Sequence, residues 1–188
     1  MTARLPLRTE RLQLRRWQDS DLEVVWRYRR LPVVQEWLGW RPRSLDEFAV
    51  GQTSRHGERG HLSLLVERSG QVIGDIQVMP RDGWAQSDVT ADAAAVEIEL
   101  GWTFDPGHGG QGYATEAIRA AVDLCFRVAG ARRVQAGCFA ANTASWRLME
   151  RIGMRQEEHS RRSGLHHSGE WLDGMLWGIL AEEWPVEG

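Results

Sequence analysis

The sequence predicts an α+β fold, a mixed and largely antiparallel central sheet flanked by helices. Three observations carry that expectation. Residues 61–104 read as consecutive strands with no helical pattern between them, whereas a doubly wound parallel sheet needs a crossover helix after each strand. Amphipathic helical patterns lie on both sides of that block. The last of its strands runs through a glycine-rich turn directly into a helix, Glu99–Ala117.

The elements follow in order. Arg11 to Trp17 alternates apolar with polar residues and reads as a strand. Asp19-Ser20-Asp21 then caps a helix with Leu22, Val25, Trp26 and Arg29 at helical spacing. Ser44-Leu45-Asp46-Glu47 is a capping box, opening a helix that contains Phe48. His61–Arg68 and Gln71–Met79, parted by Ser69-Gly70, form a hairpin. Residues 80–94, with Asp82, Gly83, Asp88 and Asp92, make a long polar loop. Ala95–Phe104 is a strand and Thr115–Val128 a helix, with Ile118, Ala121, Val122 and Cys125 on one face and Gly130 ending it. Val134–Phe139 is a strand, Asn142–Ile152 a helix stopped by Gly153, and Glu170–Leu180 the closing strand. Strand and helix thus succeed one another as β-α-α-β-β-β-α-β-α-β.

At 188 residues the chain is expected to form one domain, residues 1–188, large enough to bury a substantial core. A formal charge of −3 argues against sequence-independent nucleic-acid binding. Lysine is absent, so arginine supplies all 23 basic residues. Cys125 and Cys138 lie in apolar segments away from any metal-ligand spacing and read as small buried hydrophobes. His159, His166 and His167 sit in a polar stretch with Arg161 and Arg162, which reads as a solvated loop without a metal site. No segment has transmembrane length and the N-terminal residues lack a signal-peptide pattern, so a cytoplasmic protein with no membrane partner is expected.

Four glycines occupy the six positions 107–112 between strand and helix. Glycine lets backbone N–H groups approach an anion closely, and the start of a helix adds unpaired donors and a positive dipole end. The stretch is therefore a cradle for a phosphate or pyrophosphate. Gly107, Gly109 and Gly112 satisfy the spacing Gly-x-Gly-x-x-Gly of dinucleotide-binding sites, with Arg132 and Arg133 near the offset where an extra phosphate of NADP would be met. The consecutive strands before it do not fit a dinucleotide-binding fold, and no Gly-Lys-Ser/Thr follows as a Walker loop needs. The other ligand with a pyrophosphate is coenzyme A. An NADP oxidoreductase and a coenzyme-A protein are the two readings that the loop leaves.

Four blocks in order carry a resemblance. They are Thr9–Arg16, Glu99–Trp102 with Gly110–Ala117, Asn142–Met154, and Gly169–Asp173 with Glu183-Trp184. With these the chain resembles the GNAT acetyltransferase superfamily, and within it the branch of the ribosomal-protein N-terminal acetyltransferases (RimJ/RimL-like). The resemblance implies the acyl-CoA N-acyltransferase fold and acetyl-CoA as co-substrate without a metal. It also implies transfer of the acetyl group to a primary amine, on a protein N-terminus or a small molecule, by direct attack in a ternary complex. Several proteins of that branch are dimers, so a homodimer is an expectation. A coenzyme-A-binding protein without turnover is the alternative. The family's loop, Gln/Arg-x-x-Gly-x-Gly/Ala, maps onto Gly109–Ala114, where Gly109 departs from the usual first residue.

Acetyl transfer to an amine requires a proton to leave the amine, charge on the carbonyl oxygen to be stabilised, and the departing thiolate to be protonated. Glu97 and Glu99 are two apart on a strand and share a face. Glu99 falls in the Glu-Leu-Gly-Trp block and is the candidate for binding or deprotonating the amine, directly or through water. Asn142 is placed to cap its helix, and the resemblance implies that it also contacts pantetheine. Ser145, one turn later, is the candidate donor to the coenzyme sulfur. The resemblance further assigns Trp102, Thr103 and Phe104 to pantetheine through their main chains, and Gly109, Gly110, Gln111, Gly112, Tyr113 and Ala114 to the pyrophosphate. Trp37 and Trp40 are candidates for an aromatic wall on the acceptor side.

Overall fold

The computed structural model describes residues 5–56 and 60–185. These divide into two compact units, one containing residues 5–78 and 101–120, the other 79–100 and 121–185. The elements are β1 (Leu7–Arg8), β2 (Gln13–Arg16), α1 (Leu22–Arg29), α2 (Pro32–Gln35), α3 (Leu45–His56), β3 (Leu62–Arg68), β4 (Gln71–Arg81), β5 (Glu97–Phe104), α4 (Tyr113–Arg127), β6 (Arg133–Phe139), α5 (Thr143–Arg151), β7 (Arg155–Leu165) and β8 (Trp171–Leu180). β1 with β2, β2 with β3, β3 with β4, β6 with β8, and β7 with β8 are antiparallel, while β5 and β6 run parallel. This is the mixed, mostly antiparallel sheet with helices that the sequence predicts.

In the first unit, Phe48 of α3 is the centre of an aromatic cluster. Trp26 and Trp40 stack on it at 5.6 and 5.9 Å between centroids, and Trp17 meets it edge-on at 6.2 Å. Val25, Tyr28, Leu65 and Val72 are buried in the same cluster. Trp40 therefore belongs to this packing rather than to an aromatic wall, and Gly51 makes room for it, since a Cβ there would lie 2.2 Å from the indole. Ser44 Oγ accepts the Glu47 amide at 3.1 Å, as the capping box predicts, but the Glu47 carboxylate turns back to the Arg43 amide instead.

Asp21 does not cap α1. Its carboxylate is buried and takes both Arg15 guanidinium nitrogens, at 2.7 and 2.8 Å, together with the Gln18 amide. Both carboxylate oxygens are thus committed to Arg15 and to the turn before the helix, which leaves none for the first amides of α1.

A second buried carboxylate ties α1 to the sheet. Asp75, on β4, is 0% exposed. Arg29 binds it in a fork at 3.0 and 2.6 Å, and the Tyr28 hydroxyl donates to it at 2.8 Å. Burial, reinforced by the Asp75 charge, pushes the Tyr28 phenol well above its ordinary value, so it stays a donor. Gln77 donates to the same carboxylate at 3.1 Å and accepts from Ser63 on β3 at 2.7 Å.

In the second unit, β8 runs between β6 and β7. α5 buries Leu148 and Met149, and Trp146 stacks on Trp177 of β8 at 6.5 Å. The polar residues 155–165 form a strand, not the expected loop. β7 is almost wholly exposed, so its side chains carry no alternation, and its pairing with β8 is broken by two register shifts. His159 on β7 bonds Asp173 at 2.9 Å. His166 is buried against Phe139 in the turn that follows, instead of solvated. The loop after β4 is pinned at its base, where Asp82 accepts the Ala95 amide and the Gly83 amide meets the Ala93 carbonyl, both at 2.8 Å.

Removing one partner of a buried ion pair leaves an uncompensated charge, at a cost of about 3–5 kcal/mol. Asp75→Ala is expected to lower Tm by roughly 10 °C, while Asp88→Ala in the exposed loop leaves it nearly unchanged. Calorimetric melting of the two variants beside wild type checks this.

Candidate active site

The glycine loop of the first unit is built from its flanks inward. The amide of Asp105, just past β5, meets the Ile73 carbonyl on β4 at 2.9 Å. Gly74 makes the close approach of β4 possible, because a Cβ there would lie 2.4 Å from the Phe104 ring. The Asp105 carboxylate accepts the Gly107 amide at 2.9 Å and starts one turn of 3-10 helix, Pro106–His108. The amides of His108 and Gly109 close on the carbonyls of Asp105 and Pro106, each at 3.0 Å. A side chain at Gly109 would press the Pro106 carbonyl at 3.2 Å, a local reason for glycine where the family pattern has Gln or Arg.

Gly110 and Gly112 then take φ +74° and +79°, a backbone that glycine adopts without strain. α4 starts at Tyr113, two residues before the sequence-based expectation. Residues 109–112 are exposed, and the first amides of α4 have no intrahelical acceptor. A Cβ at Gly110 would meet nothing within 4 Å. The loop is thus open and donor-rich, with chemistry that fits a pyrophosphate.

A group that the sequence reading missed holds this loop. Glu116, one turn into α4, accepts the Thr9 hydroxyl at 2.6 Å, the Arg11 amide at 2.9 Å and the Arg11 Nε at 2.7 Å. Arg11 Nη1 donates to the Gln111 carbonyl at 3.0 Å. The Tyr113 ring is buried between the guanidinium groups of Arg11 and Arg68, at 4.8 and 5.0 Å. Partial burial raises the Glu116 carboxyl, but the bonds from Thr9 and Arg11 outweigh it and hold it below 4.5.

In the second unit the two strand glutamates differ. Glu97 is 7% exposed and held by Arg132 at 2.7 Å and Arg133 at 3.0 Å. Glu99 is accessible and pairs with Arg81 of β4 at 2.9 Å. The ladder of β5 with β6 covers Glu97–Glu99, while β5 continues through Trp102 and Thr103 to Phe104. Asn142 caps α5 as expected, its side-chain oxygen accepting the Ser145 amide at 3.3 Å. Ser145 is half-buried in the first turn. Both cysteines are free thiols; burial pushes Cys125 up to about 12 and Cys138 up to about 11, so neither is a thiolate at neutral pH.

A model of the acetyltransferase (GNAT) domain matches residues 11–155. The chain belongs to the GNAT acetyltransferase family. As a member it is an acetyl-CoA-dependent N-acetyltransferase. It is 37% identical over 86 residues to the uncharacterized N-acetyltransferase YnaD of Bacillus subtilis, covering 46% of this chain and 50% of that protein. The match therefore spans about half the length of that relative. The uncharacterized N-acetyltransferase p20 of Bacillus licheniformis is 25% identical over 95% of this chain and 97% of its own. An acetyltransferase structure from Bacillus anthracis superposes with a TM-score of 0.77 at 27% identity, over 94% of this chain and 99% of that one.

Two more distant structures share the fold. The spermidine N-acetyltransferase of Vibrio cholerae, solved with CoA and spermine, has a TM-score of 0.76 at 18% identity and covers 93% and 98% of the two chains. The RimL ribosomal L7/L12 α-N-protein acetyltransferase, solved with CoA, has 0.75 at 17%, covering 93% and 97%.

The Glu116 carboxyl lies below 4.5, so the stability that it lends this acetyltransferase is fully present above that pH. It is lost as pH falls through the lowered folded value. Glu116→Gln is expected to be less stable than wild type at pH 7, with the gap closing as the carboxyl protonates in acid. Urea midpoints measured from pH 7 to pH 3 check the sign.

Proposed function

We propose that this chain, acting as a single domain in the cytoplasm, transfers the acetyl group of acetyl-CoA to a primary amine in the manner of the RimJ/RimL-like branch. The acceptor is a protein N-terminal α-amine or a small amine. The observation that carries the reading is the run from β5 through the open loop to the start of α4. There Gly110 and Gly112 leave donors of 110–114 for the pyrophosphate, while Gly109 serves the preceding turn. The main chain of Trp102–Phe104, beyond the β5–β6 ladder, pairs with pantetheine, and Asn142 contacts the same arm.

When bound, acetyl-CoA supplies the thioester carbonyl for attack. The chain supplies the proton handling. An α-amine, with a reference pKa near 7.7–8.0, is already partly neutral at physiological pH, so a modest base suffices. Glu99 is the accessible carboxylate of the pair and receives the proton, directly or through a water. Arg81 holds Glu99 in place until the acceptor ammonium replaces it. Glu97, enclosed by two arginines, keeps β5 and β6 in register. Ser145 relays a proton to the departing sulfur and regains one from solvent, so that its hydroxyl is restored. CoA in the V. cholerae and RimL structures supports the co-substrate; their acceptors, a polyamine and a protein terminus, mark the two classes to be tested.

Gly112→Glu places a charged side chain where φ is +79° and Arg11 lies 3.5 Å away. Calorimetric titration with acetyl-CoA, beside NADPH, is expected to show micromolar binding of acetyl-CoA by wild type and none by the variant. Binding of NADPH instead would overturn the reading. In a subsequent screen of amine acceptors, Glu99→Gln is expected to lower kcat about 10²-fold or more without abolishing turnover.

A further inference from the structure

The Gln111–Gly112 peptide ends in a glycine with positive φ, Gly112 at +79°. Its plane turns through ψ of Gln111 and φ of Gly112, and Gly112, without a Cβ, does little to resist the rotation. Its orientation matters. In a trans peptide the carbonyl of one residue and the N–H of the next point in opposite directions. Whatever fixes the Gln111 carbonyl therefore also aims the Gly112 N–H.

Arg11 fixes it. Its Nη1 holds the Gln111 carbonyl at 3.0 Å, while Nε and Nη2 both lie 2.7 Å from Glu116 Oε2. The guanidinium thus bridges the loop to the first turn of α4 with its planar fork, which a point charge could not do. Thr9 and the Arg11 amide complete the hold on Glu116. The loop lacks the Gln or Arg usual at position 109, and a guanidinium from almost a hundred residues earlier in the chain stands beside it.

Resting on the acetyl-CoA reading above, we infer that Arg11 is a positioning residue for the cofactor loop. Anchored by Glu116, it locks the Gln111–Gly112 peptide with the N–H directed away from the guanidinium and toward the bound pyrophosphate. The loop is then organised before the ligand arrives, so that binding does not have to select among peptide orientations.

Arg11→Lys keeps the charge and loses the fork, while Glu116→Gln loses the anchor. Titration calorimetry with CoA is expected to show each variant binding about ten-fold more weakly than wild type. In the unliganded proteins, hydrogen exchange at the Gly112 amide is expected to change while that of Ile118, inside α4, does not. Wild-type affinity in Arg11→Lys would overturn the inference, leaving Arg11 only an attractive charge. Weakened binding with an unaltered Gly112 amide in both variants would overturn it as well. Wild type failing to bind CoA would defeat the acetyl-CoA reading itself, and the amide measurement on the unliganded proteins would still decide the loop geometry.

Discussion

A carboxylate removed from water has to be met by positive charge and donors, and in the first unit Asp75 imposes that requirement at the middle of β4. Arg29 and Tyr28 answer it from α1, and Gln77 extends the chain of bonds to Ser63 on β3. Helix, strand and neighbouring strand are thereby fixed to one point. The same strand meets the end of β5, through Ile73 and through the space that Gly74 leaves for Phe104. The glycine loop leaves from that end. Its position is inherited from a buried ion pair that never touches it.

Regular periodicity made most of the fold legible. Arg11–Trp17 and the α4 and α5 faces each bury one side, and a buried side leaves its period in the sequence; the hairpin at 61–79, buried on both faces, shows instead as two strand runs parted by Ser69-Gly70. Asn142 was readable for a similar reason, since a cap acts only on the next few residues. What could not be read depends on partners far apart in the chain. Asp21 is the exception: its partner Arg15 is only six residues back, but a helix-start pattern says nothing of a pairing with the preceding strand. β7 looked like a loop because a solvated edge strand has no buried face to alternate with. Trp40 looked free to line a site, and only the packing of α3 shows that it is spent on Phe48. Glu116 and Arg11 lay inside quoted blocks, yet nothing local in either signals that one binds the other.

The two glutamates of β5 show how far a shared strand face carries a chemical argument. Their spacing places them alike, and their surroundings separate them. Glu97 is enclosed by two guanidinium groups, which suits a strut, while Glu99 pairs with Arg81 and keeps access to solvent. Family membership assigns the reaction. The acceptor is a matter of loops and charges that the shared fold leaves open.

Every ion pair described above, apart from that of His159, takes its positive charge from a guanidinium, as it must in a chain without lysine. A guanidinium remains protonated at any pH that the protein meets and is a poor nucleophile. The side chains around a bound thioester therefore offer no amine of their own. The catalyst thus carries no side-chain amine for its own reagent to acetylate, and the clamps of Arg11, Arg29 and Arg81 keep their charge through every turnover.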